Sequence, residues 1–209
     1  IPFYAMVGEP ESGKDALLPD SGLSARPNSP DTFGLEGKNA NHWWFYSNAV
    51  VIDFASSHFA GSEETLDDER GGLFGRFRKK KGSQGAWKAN LDALRKHRLR
   101  RPIDGMILTV NAKGLLAKTP DAQTKITRRA EVVAERIHEA QHRLGVHFPV
   151  YVVITGCEAM PGFETFARSV PEPMREQMFG WSSPYPPEQG YQSEWVDEAL
   201  GSIHESVCV

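Results

Sequence analysis

Gly8-Glu9-Pro10-Glu11-Ser12-Gly13-Lys14-Asp15 is the stretch whose residue types and spacing could do chemistry. It follows the apolar run Phe3–Val7 and reads Gly-x-x-x-x-Gly-Lys, the pattern of a P-loop that cradles phosphate between a strand and a helix. Each part has a physical task. Gly8 and Gly13 permit backbone angles and close approaches that a Cβ would block, so that successive N–H groups aim at one anion. A helix start behind the loop adds the positive end of its dipole, and Lys14 adds a full charge. Ser12 belongs to the same candidate cradle.

The next position departs from the pattern. A working loop of this kind carries Ser or Thr there, whose hydroxyl ligates the magnesium that bridges the phosphates. Here it is Asp15, and Glu9 and Glu11 join it, so three carboxylates stand against one ammonium. Two like charges about 4 Å apart repel by roughly 4 kcal/mol at an effective dielectric of about 20. A triphosphate is therefore expected to find this cradle poor, and neither a cofactor nor a resident metal is expected. The alternative is that Asp15, with Asp53, ligates magnesium and that ATP or GTP still binds.

Chemistry in this kind of protein sits at the carboxyl ends of the strands, which gives three further places to test. Asp53 ends the apolar run Val50-Val51-Ile52, where an acid supporting magnesium belongs. GTPase-like sites continue Asp-x-x-Gly, and here Ser56 takes the glycine's place, with a Cβ where space is short. Thr155-Gly156-Cys157-Glu158 ends another strand where GTPases read guanine with Asn/Thr-Lys-x-Asp; Gly156 replaces the lysine and Glu158 the aspartate. Lys38 stands where a switch threonine is expected. With Asp15, these departures argue against hydrolysis. Elsewhere the candidates are bland. His138 and His142 lie one helical turn apart but lack a third ligand, and Cys157 has no histidine near it in sequence. The basic cluster Arg76–Lys81 follows an acidic run and reads as solvated loop.

The elements that must hold these residues can be read from periodicity. Trp43–Tyr46 and Ala49–Phe54, separated by two residues, predict an antiparallel hairpin whose second strand is buried. Asp104–Val110 and Phe148–Thr155 read as buried strands. Apolar residues at Ile126, Ala130, Val133, Ile137, Ala140 and Leu144 predict a helix over 121–144, closed by Gly145. Shorter helices are expected over 87–97, 163–170, 174–179 and 194–207. The alternation predicts an α/β fold of small-GTPase-like P-loop type, with a mostly parallel sheet, one antiparallel strand pair, helices on both faces and extra C-terminal helices. The 209 residues are expected to form one domain, with an insertion at 55–85 and a helical extension at 171–209.

Composition limits the function classes. With 40% apolar and 24% charged residues the chain is globular, and its net charge of −3 offers no general attraction to nucleic acid or to anionic membranes. Two cysteines are too few for a disulfide framework or a zinc site. No stretch approaches the roughly 18 apolar residues of a membrane span, and no signal peptide is visible. The chain opens inside a strand pattern and is expected to be part of something longer.

GEPESGKD, GKNANHWWF, AVVIDFASSHF, RRPIDGMILTVN, RAEVVAERIHEAQHRLGV, FPVYVVITGCEAMPGFETF and MFGW follow one another in this order. That series resembles the cytoplasmic NTPase-like domain of the IcmF family, the TssM proteins of type VI secretion, whose members read GPPGSGKT, WWF, LIDTAGRY, RRPINGV, LPVYVVFTKCDLLAGF and WGFT at the same places. The resemblance implies a domain at the cytoplasmic face of the bacterial inner membrane, tethered by membrane helices outside these residues. It implies the TssL cytoplasmic domain as partner, baseplate proteins such as TssK and TssG as further partners, and TssJ through the rest of the parent protein. Taken with the degenerate loop, the expected function is a scaffold that docks partners without turnover. The alternative is an ATP- or GTP-binding enzyme or switch that powers or gates secretion.

Overall fold

A computed structural model describes residues 1–24, 32–34, 40–59, 73–116, 118–175, 179–186 and 189–207, without the side chains of 15, 20, 32–34 and 73–84. The expectations for Lys38, for the acidic run and for the side chains of the basic cluster lie outside the described residues. By its internal packing the chain divides into two units, Ile1–Gly156 and Cys157–Val209.

The first unit is built on a sheet of six strands: β1 (Phe3–Gly8), β2 (Thr32–Gly34), β3 (His42–Phe45), β4 (Val50–Asp53), β5 (Gly105–Asn111) and β6 (Val150–Thr155). Their order is β2-β3-β4-β1-β5-β6. β4, β1, β5 and β6 are mutually parallel. The hairpin expected from the two-residue spacing pairs Phe45 with Val50, and β2 adds a second antiparallel partner to β3.

Side chains alternate across this sheet with the period of two that a pleated strand imposes. Ala5, Val7, Ile52, Met106 and Leu108 project to one face. There they meet Phe59 of α2 (Ser56–Phe59), Trp87, Leu91 and Leu94 of α3 (Leu73–His97), and Ala140 and Leu144 of α5 (Pro120–Leu144). Met6, Val51 and the half-buried Ile107 project to the other face, covered by α1 (Lys14–Leu17) and by Leu18 and Tyr46. The short α4 (Ala112–Leu115) follows β5 directly. Helices therefore stand on both faces, but unequally.

The caps on α5 follow its sequence. The Thr119 hydroxyl accepts from the Ala122 N–H, Pro120 takes the first turn, and Gly145 closes the helix at φ 67°. Trp87 is the largest fully buried side chain among the described residues and meets Phe54 and Phe59 edge-on at 5.6 and 5.4 Å. α3 starts at Leu73, well before the helix expected from Trp87. Arg and Lys are good helix formers, and their run carries the helix through Gly75, Gly82 and Gly85 despite a cost of about 1 kcal/mol for each glycine.

The second unit holds a 3₁₀ turn (Cys157–Ala159), α6 (Phe163–Ser169), α7 (Glu172–Arg175) and α8 (Glu194–Val207). Inside it Tyr185 stacks on Trp195 at 4.7 Å, and the Tyr185 hydroxyl donates to the Glu198 carboxylate. Val196 and Leu200 of α8 stay exposed.

Candidate functional site

The glycine loop connects β1 to α1, as its spacing predicts, and enters the helix through Gly13 in the left-handed region at φ 74°. Glu11 is also left-handed, at φ 59°, a conformation that L side chains rarely adopt. The parallel register sets Met6 beside Asp53 and Gly8 beside Thr109, so the ends of β1, β4 and β5 converge on the loop. A Cβ on Gly8 would stand 2.1 Å from the Thr109 hydroxyl and 2.4 Å from that of Ser12, which leaves glycine as the residue that fits.

The loop is held by side chains on every side. Lys14 is buried, and its ammonium donates to the Asp53 carboxylate and, at 2.8 Å, to the Phe54 carbonyl. The Ser12 and Thr109 hydroxyls bond at 2.8 Å, both nearly fully buried, and Thr109 also donates to the Val7 carbonyl at 3.2 Å. The Asn111 amide donates to the Glu11 carbonyl at 2.9 Å, and the Thr155 hydroxyl donates to the Ser12 carbonyl at 2.5 Å. Arg129 of α5 grips Glu9 with two guanidinium nitrogens, Nε to Oε1 at 2.6 Å and Nη2 to Oε2. The Glu9 carboxylate therefore does not stand unopposed over the loop.

Of the residues singled out from the sequence, Gly8, Ser12, Gly13, Lys14 and Asp53 come together. Asp15 lies in the first turn of α1. Ser56 opens α2, two residues beyond the Phe54 carbonyl that Lys14 uses. Glu158 belongs to the second unit and is exposed. Gly156 has φ 65°, and a Cβ there would stand 2.9 Å from the Asn111 side chain. A side chain at this position would press on the same asparagine that holds the loop. Burial and the neighbouring Glu158 push the Cys157 thiol up, the opposite of an activated nucleophile.

Sequence reasoning missed Thr109, Asn111 and Arg129. Thr109 did leave a signal, a hydroxyl inside the otherwise apolar run Met106–Val110. Asn111 marks a strand end, and nothing local marks Arg129 among the basic residues of its helix.

A phosphate-loop α/β protein is the class that this strand order and this loop define. Comparison with known proteins makes it narrower. The IcmF-related N-terminal domain matches residues 80–208, and the chain belongs to that family. Over 184 residues, 86% of the chain, it is 32% identical to the type VI secretion system component TssM1 of Pseudomonas aeruginosa, of whose length it spans 15%. Among solved structures it is similar to a probable GTP-binding protein engB, at 15% identity and TM-score 0.40 over 97% of this chain and 99% of that one. The G domain of the T. maritima FeoB iron transporter follows at 14% identity and TM-score 0.28, over 80% of this chain and 94% of that one.

Proposed function

We propose that this domain is a docking scaffold of a type VI secretion membrane complex, and that its phosphate loop serves the fold rather than turnover. The observation that carries the reading is the state of Lys14, buried and given over to Asp53 and to the Phe54 carbonyl. A phosphate that took Lys14 would draw its ammonium away from Asp53, which is 4% exposed. Separating a buried pair costs on the order of 3–5 kcal/mol, roughly two to three powers of ten in affinity. Magnesium would ordinarily compensate, but Asp15 stands in place of the hydroxyl that holds it. The residues present therefore fit a magnesium triphosphate badly.

In this reading the domain lies at the cytoplasmic face of the inner membrane and meets the cytoplasmic domain of TssL, with TssK and TssG on the baseplate side and TssJ reached through the rest of the parent protein. Calorimetric titration of ATP and of GTP with magnesium is the test. No saturable heat is expected up to about 1 mM nucleotide; binding in the micromolar range would overturn the loop's structural role, and phosphate release would make the protein an enzyme. For the docking role, the TssL cytoplasmic domain should co-purify with the full-length protein, and its absence from the purified material would count against the assignment.

A further inference from the structure

Arg95-Lys96-His97-Arg98-Leu99-Arg100-Arg101 closes α3 and leads toward β5, at the end of the sheet opposite the glycine loop. In a chain of net charge −3, five of these seven residues are Lys or Arg and none is acidic. Local structure accounts for some of them. Arg95 lies in the last turn of α3, where cations complement the helix dipole, and donates to the Arg143 carbonyl at 3.0 Å. Arg98 and Arg101 share the Asp104 carboxylate, at 3.5 and 2.9 Å, one anion between two guanidiniums. Asp92, the other acid near this turn, is taken up by Arg143 through two bonds of 2.7 Å. Lys96 and Arg100 are exposed and pair with no carboxylate among the described residues, and Arg100 stands beyond the helix end. Between Arg98 and Arg100, Leu99 is 83% exposed. The root of this tip is braced: Pro102 and Ile103 are buried, the Arg98 guanidinium lies 3.8 Å over the Phe3 ring, and Asp104 also accepts from the Phe3 N–H at 2.7 Å. A lone exposed leucine is ordinary, and so is a solvated lysine. A leucine held out between cations that lack partners is a different object.

We propose that this tip contacts an anionic phospholipid surface, with Leu99 entering the boundary between headgroups and acyl chains while Lys96, Arg98, Arg100 and Arg101 lie among the phosphates. Three features favour a bilayer. The order cation, leucine, cation matches the layering of a leaflet, where an apolar tip sinks below the phosphates and long basic side chains reach back up to them. The excess of cations over the Asp104 carboxylate complements a negative surface, and each Lys or Arg near such a surface strengthens attachment about fivefold. The braced root means that little chain has to be ordered on contact. A nucleic acid would use the cations and leave Leu99 in water. The inference rests on the reading that the domain stands at the inner membrane, where such a surface is at hand.

The test uses the full-length protein. Leu99→benzoylphenylalanine, irradiated in living cells, should give an adduct to phospholipid, recognised by the mass of the recovered peptide. Adducts confined to protein or to nucleic acid, or no adduct, overturn the proposal. Reconstituted in nanodiscs, the same protein should couple to lipid at least about fivefold more when the discs contain phosphatidylglycerol than in phosphatidylcholine alone, and Lys96→Gln with Arg100→Gln should remove that excess. Equal coupling in the two kinds of disc overturns the proposal. The probe is itself apolar, so hydrogen exchange on protein that keeps Leu99 gives an independent reading. The Leu99 and Arg100 amides should exchange at least about threefold more slowly in the anionic discs than in phosphatidylcholine discs; identical rates overturn the proposal. Retention of TssL is read separately: a protein that keeps TssL but fails these tests loses the lipid contact and keeps its place in the complex.

Discussion

In the loop from Gly8 to Lys14 the polar groups turn inward and meet partners: an ammonium on a carboxylate, two hydroxyls on each other, two carbonyls on the side chains of Asn111 and Thr155. In β6, two strands away from β1, apolar side chains turn outward. The segment with the signature of a reaction site is closed on itself, and the segment with the signature of a core leaves Tyr151 and Val152 about half exposed. Burial explains the contrast. A buried polar group is tolerated only when its bonds are made, so a loop that no longer needs to face a ligand is free to spend its groups on the fold. An apolar side chain has no such local remedy. The loop ties β1 to β4, β5, α5 and β6, and damage there should read as lost stability even with no nucleotide present.

The largest effect is expected at Lys14. Lys14→Met leaves the Asp53 carboxylate buried without its ammonium, and unfolding by urea should show a loss of about 3–5 kcal/mol. Adding Asp53→Leu removes the carboxylate that lost its ammonium and should recover part of that loss. An unchanged urea midpoint in Lys14→Met would break the comparison at once, since the lysine would then be held in reserve for a ligand.

Gly8→Ala comes next. The added methyl meets the Thr109 and Ser12 hydroxyls well inside contact distance, and the expected loss is about 1–3 kcal/mol by the same measurement. Arg129→Ala should cost less, about 0.5–1 kcal/mol, because the guanidinium that grips Glu9 is partly exposed and screened. That loss should shrink in high salt, which separates it from the loss at Gly8.

Much of this was legible in the chain. The period of α5, the hairpin spacing of β3 and β4 and the glycine pattern of the loop are local signals, and each lies where it was expected. Charge balance points to a neutralised Lys14 with Asp15, Glu11 and Asp53 as alternative partners, and only the register of β1 against β4 selects Asp53. The clamp by Arg129 was not legible: Glu9 and Arg129 are 120 residues apart, and only the packing of α5 on the sheet brings them together. Nor was the exposure of Tyr151 and Val152, which stand in a run whose composition is that of a buried strand.

A smaller effect should follow pH. His58 is half-buried, and burial lowers its pKa below the usual 6.5. Its Nδ1 stands 3.4 Å from the Asn90 amide nitrogen, so the neutral ring accepts a hydrogen bond there that a protonated ring would lose. The unfolded chain therefore binds the proton more readily than the folded one. The stability due to this residue is complete above pH 6.5 and is lost as the pH falls from there toward the lower folded-state value. Thermal unfolding followed from pH 7.5 to pH 5 should show that decline, and His58→Gln should flatten it.

The smallest effect is expected at Val152, and a matched pair of substitutions sets it against a buried valine of the same sheet. Val51 and Val152 lie in one sheet, the first 3% exposed and the second 59%. Val51→Thr puts a hydroxyl among Met6, Leu18 and Tyr46 and should cost more than about 1 kcal/mol. Val152→Thr in residues 1–209 should stay within about 0.5 kcal/mol of the parent, because water already reaches most of that side chain.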